Sequence, residues 1–450
     1  MPFITIILLV LQIRRGIIGN LAQRLGFVPP TSPSPSTSSG PEASRSSRGL
    51  EGRRAAPDSK TQTPIIWIHT VSVGETLSVE HFINKIKQNT PGARCYLTVG
   101  TIAGKRIAQS HLKNADWISY LPYDFLPCML LAFHRIRPSA LLIAESELWP
   151  NFIATAYYKK VPLIWLNARI NPYSRTRYLT FKRIFTPLIT CFSHIFAQSP
   201  YDQQEFENMG ISTKQINVLG NIKVFNVLEK KIECTKTHPL DIPLESSPYQ
   251  IILVGSMHPG EDTLYLSLFT QLKPQFPNLK LIFAPRHFGW QKQLESNVQQ
   301  SGLSYKVWSK ESPLSPQPIP QALNEIFAQN DVLLVCKLGK LFALYPHATI
   351  YALGGTFVPI GGHNLLESAV WGVPTIVGPF YQNCKDIADR LEAVDGIVKV
   401  HDEYALYDTV KDLLSNPTLA QKIGHNSLVW LERENETVKK QLDILLGMLR

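Results

Sequence analysis

The sequence predicts an α/β protein built from two Rossmann-like parallel-sheet domains facing across a cleft. Three observations predict it. Continuous apolar runs of strand length alternate with amphipathic stretches of helix length, the pattern of a parallel sheet covered on both faces. The alternation stops at a polar, Pro-containing stretch (238–248) and then starts again. A chain of 450 residues also exceeds one ordinary domain.

Taken in order, residues 1–28 read as a membrane-associating segment. Phe3–Ile13 is apolar and is followed by Arg14 and Arg15. Its length falls short of the roughly 20 residues that cross a bilayer, so the expectation is insertion into one leaflet with the arginines at the headgroups. Residues 29–63 are rich in Pro, Ser, Thr, Gly and Arg and read as a disordered linker, because so few apolar side chains cannot offset the entropy of ordering. The first α/β domain is expected over 64–245. Its strands read at Ile65–His69, Arg94–Val99, Leu141–Ala144, Leu163–Leu166, His194–Ala197 and Ile216–Leu219, with helices at Leu77–Gln88, Gly104–His111 and Phe152–Lys159. The second is expected over 246–450, with strands at Gln250–Gly255, Lys280–Ala284, Asp331–Val335, Thr349–Leu353 and Thr375–Val377 and a helix over Leu365–Trp371.

Charge divides the chain. Residues 1–245 carry 28 Lys/Arg against 16 Asp/Glu, whereas 246–450 carry 17 against 19. A basic half suits an anionic partner such as a membrane surface or a phosphorylated lipid. No arginine-rich run interleaved with aromatics speaks for nucleic acid. Arg169, Arg175, Arg177, Lys182 and Arg183, among Tyr173, Tyr178, Phe181 and Phe185, form a candidate membrane surface, or else a solvated helix face. The six cysteines (95, 128, 191, 234, 336, 384) have no CxxC spacing, which gives neither a zinc site nor a disulfide framework.

Candidate chemistry collects after the strands. Gly354-Gly355, Gly361-Gly362, His363, Asn364 and Glu367 follow one of them. Glycines there permit close approach of a ligand, a helix N-terminus behind them favours an anion, and Glu367 suits ribose hydroxyls. Glu75, after Ser72-Val73-Gly74, is either a general base or a cap on the helix that begins there. Glu145 and Glu147 follow another strand, where buried acids are costly unless paired or used. Lys223, the turn Gly255–Glu261, and Pro285-Arg286-His287 complete the set, with Arg286 suited to phosphate.

The ordered series His-Thr-Val-Ser-Val-Gly-Glu (69–75), Glu-Ser-Glu-Leu-Trp-Pro-Asn (145–151), Gly-Asn-Ile-Lys (220–223), Gly-Ser-Met-His-Pro-Gly-Glu (255–261), Pro-Arg-His (285–287) and Gly-Gly-His-Asn-Leu-Leu-Glu (361–367) resembles the 3-deoxy-D-manno-octulosonic acid (Kdo) transferases of lipopolysaccharide synthesis. Asn20–Phe27 is similar to that family's N-terminal region. The resemblance implies a GT-B fold and an inverting transfer of Kdo from CMP-Kdo to the lipid A precursor (lipid IVA). It also implies that no metal or other cofactor is used and that the enzyme sits on the cytoplasmic face of the inner membrane, peripheral or monotopic. Carried over, it makes Glu75 the general base and Glu145 and Lys223 supports of the transition state. Pro285, Arg286, Leu338, Gly339, Lys340, Asn364, Leu365, Leu366 and Glu367 would hold CMP. The chain departs from the family around Cys336–Lys340, where acidic side chains are usual; backbone contacts survive that change. Other readings of the same fold are a nucleotide-sugar epimerase or hydrolase, which would need no lipid, and a non-catalytic nucleotide-sugar-binding protein, which would not need Glu75.

Overall fold

Fourteen strands among the described residues form two sheets of seven, all pairings parallel. The structure, a computed structural model, describes residues 20–29, 63–145, 147–170, 175, 178, 180–237, 248–309 and 318–449. The expected leaflet-inserting run Phe3–Ile13 and nearly all of the expected linker 29–63 lie outside them. No helix among the described residues is long and apolar enough to cross a membrane.

The first sheet contains β1 (Ile65–Thr70), β2 (Arg94–Val99), β3 (Trp117–Tyr120), β4 (Ala140–Ala144), β5 (Leu163–Ala168), β6 (His194–Ala197) and β7 (Ile216–Val218), in the order β3-β2-β1-β4-β5-β6-β7. Its central strands are buried along their length, as apolar runs covered by helices on both faces must be. The second sheet contains β8 (Gln250–Met257), β9 (Leu279–Pro285), β10 (Tyr305–Trp308), β11 (Val332–Val335), β12 (Ile350–Leu353), β13 (Thr375–Val377) and β14 (Ile397–Lys399), in the order β10-β11-β9-β8-β12-β13-β14. Strands β3, β10 and β14 escape the sequence reading. They are short edge strands of mixed burial, with no continuous apolar run to mark them.

Helices cover both sheets. In the first part these are α1 (Leu21–Arg24), α2 (Val73–Ser78), α3 (Glu80–Asn89), α4 (Ile102–His111), α5 (Leu126–Ile136), α6 (Pro150–Tyr158), α7 (Lys182–Ile189), α8 (Pro200–Asn208) and α9 (Lys223–Thr237). Then come α10 (Glu261–Leu272), α11 (Gln291–Gln300), α12 (Ile319–Gln329), α13 (Leu366–Ala369), α14 (Lys385–Glu392), α15 (Glu403–Ser415) and α16 (Pro417–Met448). The helix expected over Leu77–Gln88 is instead two, α2 and α3, parted at Val79. There Ser78 Oγ donates to the Glu75 carbonyl at 2.7 Å and competes with the helical hydrogen bond.

Contacts divide the chain into two units, Met1–Ile222 with Thr437–Arg450, and Lys223–Glu436. The sequence reading puts the boundary at 245/246. The division falls earlier because α9 packs its Val224 and Val227 into the core of the second sheet, and Lys231 Nζ donates to the Val370 carbonyl at 2.7 Å. At the other end, Asn20–Val28 joins the first unit. Arg24 is buried there, donating to the carbonyls of Gly100 (2.6 Å) and Leu121 (2.8 Å) with its guanidinium 4.6 Å above the Tyr120 ring.

Candidate active site

Each sheet reverses strand order near its middle, between β1 and β4 in the first and between β8 and β12 in the second. The carboxyl ends of the strands at such a reversal are where open α/β sheets bind ligands. Glu75 and Glu145 in the first unit, and the turn 255–261 and the loop 354–367 in the second, lie at these ends, whereas Arg286 follows β9, the Leu338–Lys340 turn follows β11 and Lys223 comes after β7.

In the first unit Ser72 caps α2, its Oγ accepting the Glu75 N–H at 3.2 Å. The Glu75 carboxylate reaches back, Oε1 accepting from Ser72 Oγ at 2.9 Å and Oε2 from the Val71 N–H at 2.7 Å. This reciprocal pattern is a capping box in all but the residue whose N–H is taken. Capping does not exhaust the group, however. Glu75 is buried, and burial, with the Glu145 carboxylate adding to it, raises its pKa above the ordinary carboxylate value despite those hydrogen bonds. Glu145 follows β4 directly with φ +57°, a left-handed conformation rare and costly for a side chain of its size. Its carbonyl accepts from Trp165 Nε1, which holds the strained residue against the core. Asn167, at the end of β5, has φ +55°, and its Oδ1 accepts the Ile222 N–H at 3.3 Å. Lys223 is the next residue and opens α9 as the first residue of the second unit. Asp124, not singled out from sequence, is buried and caps α6 from outside, accepting from the N–H groups of Asn151 (3.1 Å) and Phe152 (2.8 Å). Burial still raises its pKa to about 6.

In the second unit Gly354 lets the ends of β8 and β12 meet: a Cβ there would stand 2.4 Å from the Ser256 carbonyl oxygen. The loop that follows is held by Glu261, which is fully buried at the start of α10. Its Oε2 accepts the N–H groups of His258 (2.9 Å) and Gly355 (2.8 Å), and its Oε1 those of Thr356 and Phe357 (3.1 Å each). His258 and His363, one beyond each strand, face each other with Nε2 atoms 2.8 Å apart. Arg286 follows β9 with its side chain exposed, and its N–H donates to the Met257 carbonyl at 2.9 Å. Pro285, buried, ends the strand.

Two expectations for this loop are corrected. The helix expected over Leu365–Trp371 is only the four residues of α13, because the chain tightens into turns, with Trp371 N–H on the Ser368 carbonyl and Gly372 at φ +64°. Its dipole is correspondingly small. The Gly362 N–H, expected to meet phosphate, donates to the Gly355 carbonyl at 2.9 Å, and Asn364 Oδ1 takes the Leu366 N–H at 3.1 Å. The Arg286 side chain, by contrast, is exposed to solvent.

Residues 20–226 match the family model described as 3-deoxy-D-manno-octulosonic-acid transferase (kdotransferase). The 3-deoxy-D-manno-octulosonic acid transferase of Chlamydophila psittaci is 30% identical over 332 residues, 73% of this chain and 72% of the relative. The chain belongs to the Kdo transferase family. The enzymes of the same name from Aquifex aeolicus (29% identical; 78% of this chain, 86% of the relative) and Haemophilus influenzae (27%; 84% and 86%) are similar as well. Among solved structures, the UDP-GlcNAc 2-epimerase of Neisseria meningitidis bound to UDP-GlcNAc aligns over 84% of this chain and all of its own, with a TM-score of 0.55 and 12% identity. That likeness speaks for the fold alone, and the fold is GT-B.

The remaining Kdo transferase positions fall as follows. Glu367 stands half-buried with Lys230 Nζ at 2.6 Å, an ion pair exposed enough to contribute little to stability. Leu365 and Leu366 are completely buried in the core of the second unit, and their carbonyls accept the N–H groups of Ala369 (3.2 Å) and Val370 (3.0 Å). The Leu338-Gly339-Lys340 turn is formed with Gly339 at φ +79°; Leu338 is 79% exposed and Lys340 Nζ lies 5.8 Å above the Trp308 ring. In the candidate membrane surface, Arg175 pairs with Glu205 and Lys182 Nζ donates to the Asn208 carbonyl at 3.0 Å, whereas Phe181 and Ile184 are exposed. Tyr173 and Arg177 lie outside the described residues.

Proposed function

We propose that this Kdo transferase moves Kdo from CMP-Kdo to a hydroxyl of the lipid A precursor (lipid IVA), with inversion at the sugar carbon and without a metal. The carrying observation is Glu75: a buried carboxylate at the switch point of the first sheet, fixed by two hydrogen bonds and raised in pKa, has the properties of a general base. Glu75 takes the acceptor proton as the hydroxyl attacks, while Glu145 and Lys223 support the charge that develops on the sugar. Arg286 takes the phosphate of the donor, the Leu338–Lys340 turn and Asn364–Leu366 cradle CMP, and Glu367 accepts from ribose hydroxyls while keeping Lys230 as its neighbour. The basic residues of the first half favour an anionic membrane at the cytoplasmic face of the inner membrane, where a phosphorylated lipid acceptor resides.

The test is a single assay: purified full-length protein, CMP-Kdo and lipid A precursor in anionic vesicles, with a chelator present. The products are weighed and the anomeric configuration is read by NMR. The expected product is the acceptor plus Kdo in inverted configuration, at an undiminished rate with chelator. Consumption of CMP-Kdo without a lipid product would favour the hydrolase reading, and loss of activity with chelator would overturn metal independence.

For the donor site, Arg286→Ala and Glu367→Ala are each expected to weaken CMP binding roughly tenfold or more, the value of a charge-assisted hydrogen bond. Both proteins should fold, since neither side chain supports the core. Unchanged affinity in both variants, measured calorimetrically, would move the donor site elsewhere.

A further inference from the structure

We infer that His258 and His363 form one proton-sharing pair that takes up a proton when the donor phosphate binds beside Arg286, so that donor affinity rises as pH falls. The inference rests on Arg286 as the phosphate contact. The two residues follow β8 and β12, the strands on either side of the sheet reversal, and are 105 positions apart in sequence. Their rings are nearly parallel, 6° between planes and 5.1 Å between centroids, and the Nε2 atoms stand 2.8 Å apart. At that distance a proton lies between the two nitrogens, one ring donating its Nε2–H and the other accepting.

This arrangement has room for one more proton. Adding it to Nδ1 of the donating ring makes an imidazolium that still donates Nε2–H to its neutral partner, and the hydrogen bond becomes charge-assisted and stronger. A further proton would set two donors face to face. The pair therefore holds zero or one positive charge and titrates as a unit.

The surroundings hold it at zero in the free protein. Burial, then Arg286, His258 and His287, bring His363 down to about 4. Burial likewise lowers His258, with His287 and Arg286 acting in the same direction and Glu261 against them. The His287 ring stands 6.0 Å from that of His258, edge to face. Glu261 favours the charge, but its oxygens are committed to four backbone N–H groups. A phosphate anion on Arg286 changes this balance. An opposite charge within about 6 Å favours the protonated form roughly ten- to thousandfold, which brings a pair held near the His363 value up toward neutrality and draws a fraction of a proton from water onto it. The proton links β8 to β12 when the donor arrives and sets a positive charge opposite the phosphate that CMP carries away.

Full-length protein is titrated with CMP near neutral pH in buffers of differing ionisation enthalpy. A measurable fraction of a proton, up to one, is expected to be taken up per CMP. Affinity should then rise by up to about twofold from about pH 8 to about pH 7, and more steeply below pH 7. His363→Gln and, separately, His258→Gln keep a hydrogen-bonding side chain that cannot titrate, so each should bind CMP more weakly with no uptake from the pair and a flatter pH profile. Comparison with these variants removes protons belonging to CMP itself. Proton uptake equal in the wild type and in either variant overturns the inference, as does a wild-type affinity that does not change with pH. If Arg286→Ala weakens CMP binding while such a result is obtained, the donor site stands and only the pair fails. If Arg286→Ala leaves affinity unchanged, the donor assignment fails and takes the inference with it.

Discussion

Glu75→Gln is expected to lower Kdo transfer about a hundredfold to ten-thousandfold, the range typical for loss of a positioned general base, while CMP binding stays near the wild-type value. Glutamine is isosteric, and its amide oxygen still accepts one of the two hydrogen bonds from Val71 N–H and Ser72 Oγ, so α2 keeps most of its cap. It cannot accept a proton from the attacking hydroxyl. The pH profile separates this role from capping. The folded protein raises the Glu75 pKa through burial and then Glu145. A base must be ionised, so the wild-type rate should fall as pH drops through that raised value. In Glu75→Gln that limb should vanish from the residual rate. The stability effect has the opposite sense. A carboxyl with a raised folded pKa adds stability below its unfolded pKa, and that contribution is lost as pH rises through the folded one. At neutral pH the wild type therefore carries an ionisation cost that Gln removes, and the variant should not melt earlier by more than its lost cap bond explains. Wild-type turnover in a folded variant would reduce Glu75 to a cap.

How legible these features are in the sequence depends on whether they are local. The central strands β1, β2, β4 and β6 read to within a residue, because a buried parallel strand is a continuous apolar run bounded by polar residues. Glu75 and Glu145 were legible as acids placed after such runs, and Arg286 as a base after another. The edge strand β10 alternates in burial, so no continuous apolar run announces it. Long-range pairings are likewise invisible. The motif around Glu261 marks a turn, yet nothing in it says that the carboxylate collects N–H groups 94 to 96 residues away. The same holds for Arg24, which lies in the stretch 1–28 read as a membrane-associating segment and is instead buried against Gly100 and Leu121. The short helix α13 is over-predicted because Leu365–Trp371 has good helical composition, and nothing in that composition announces the turns at Trp371 and Gly372 that stop it.

Glu261→Gln is expected to be the most damaging single change in the second unit, although it removes only a charge. The carboxylate is completely buried, and its two oxygens satisfy the N–H groups of His258, Gly355, Thr356 and Phe357. Glutamine offers one carbonyl oxygen for two of these four donors. Its NH2 group faces the other two, leaving buried donors opposed to donors. Losing charge-assisted hydrogen bonds of this kind and stranding their partners costs about 3–5 kcal/mol. Because the same N–H groups fix the loop from Gly355 to Phe357 and the backbone of His258, the loss falls on both turns at the switch point of the second sheet. CMP affinity should therefore drop with stability, and by more than the roughly tenfold expected for Arg286→Ala. Urea unfolding of the full chain checks the first part and calorimetry the second. Glu403→Gln, at an exposed position in the first turn of α15, serves as the control for removing one charge and should stay within about 0.5 kcal/mol of the wild type. A Glu261→Gln protein as stable as that control, binding CMP normally, would mean that the loop is held by its glycine turns and core packing rather than by the buried carboxylate.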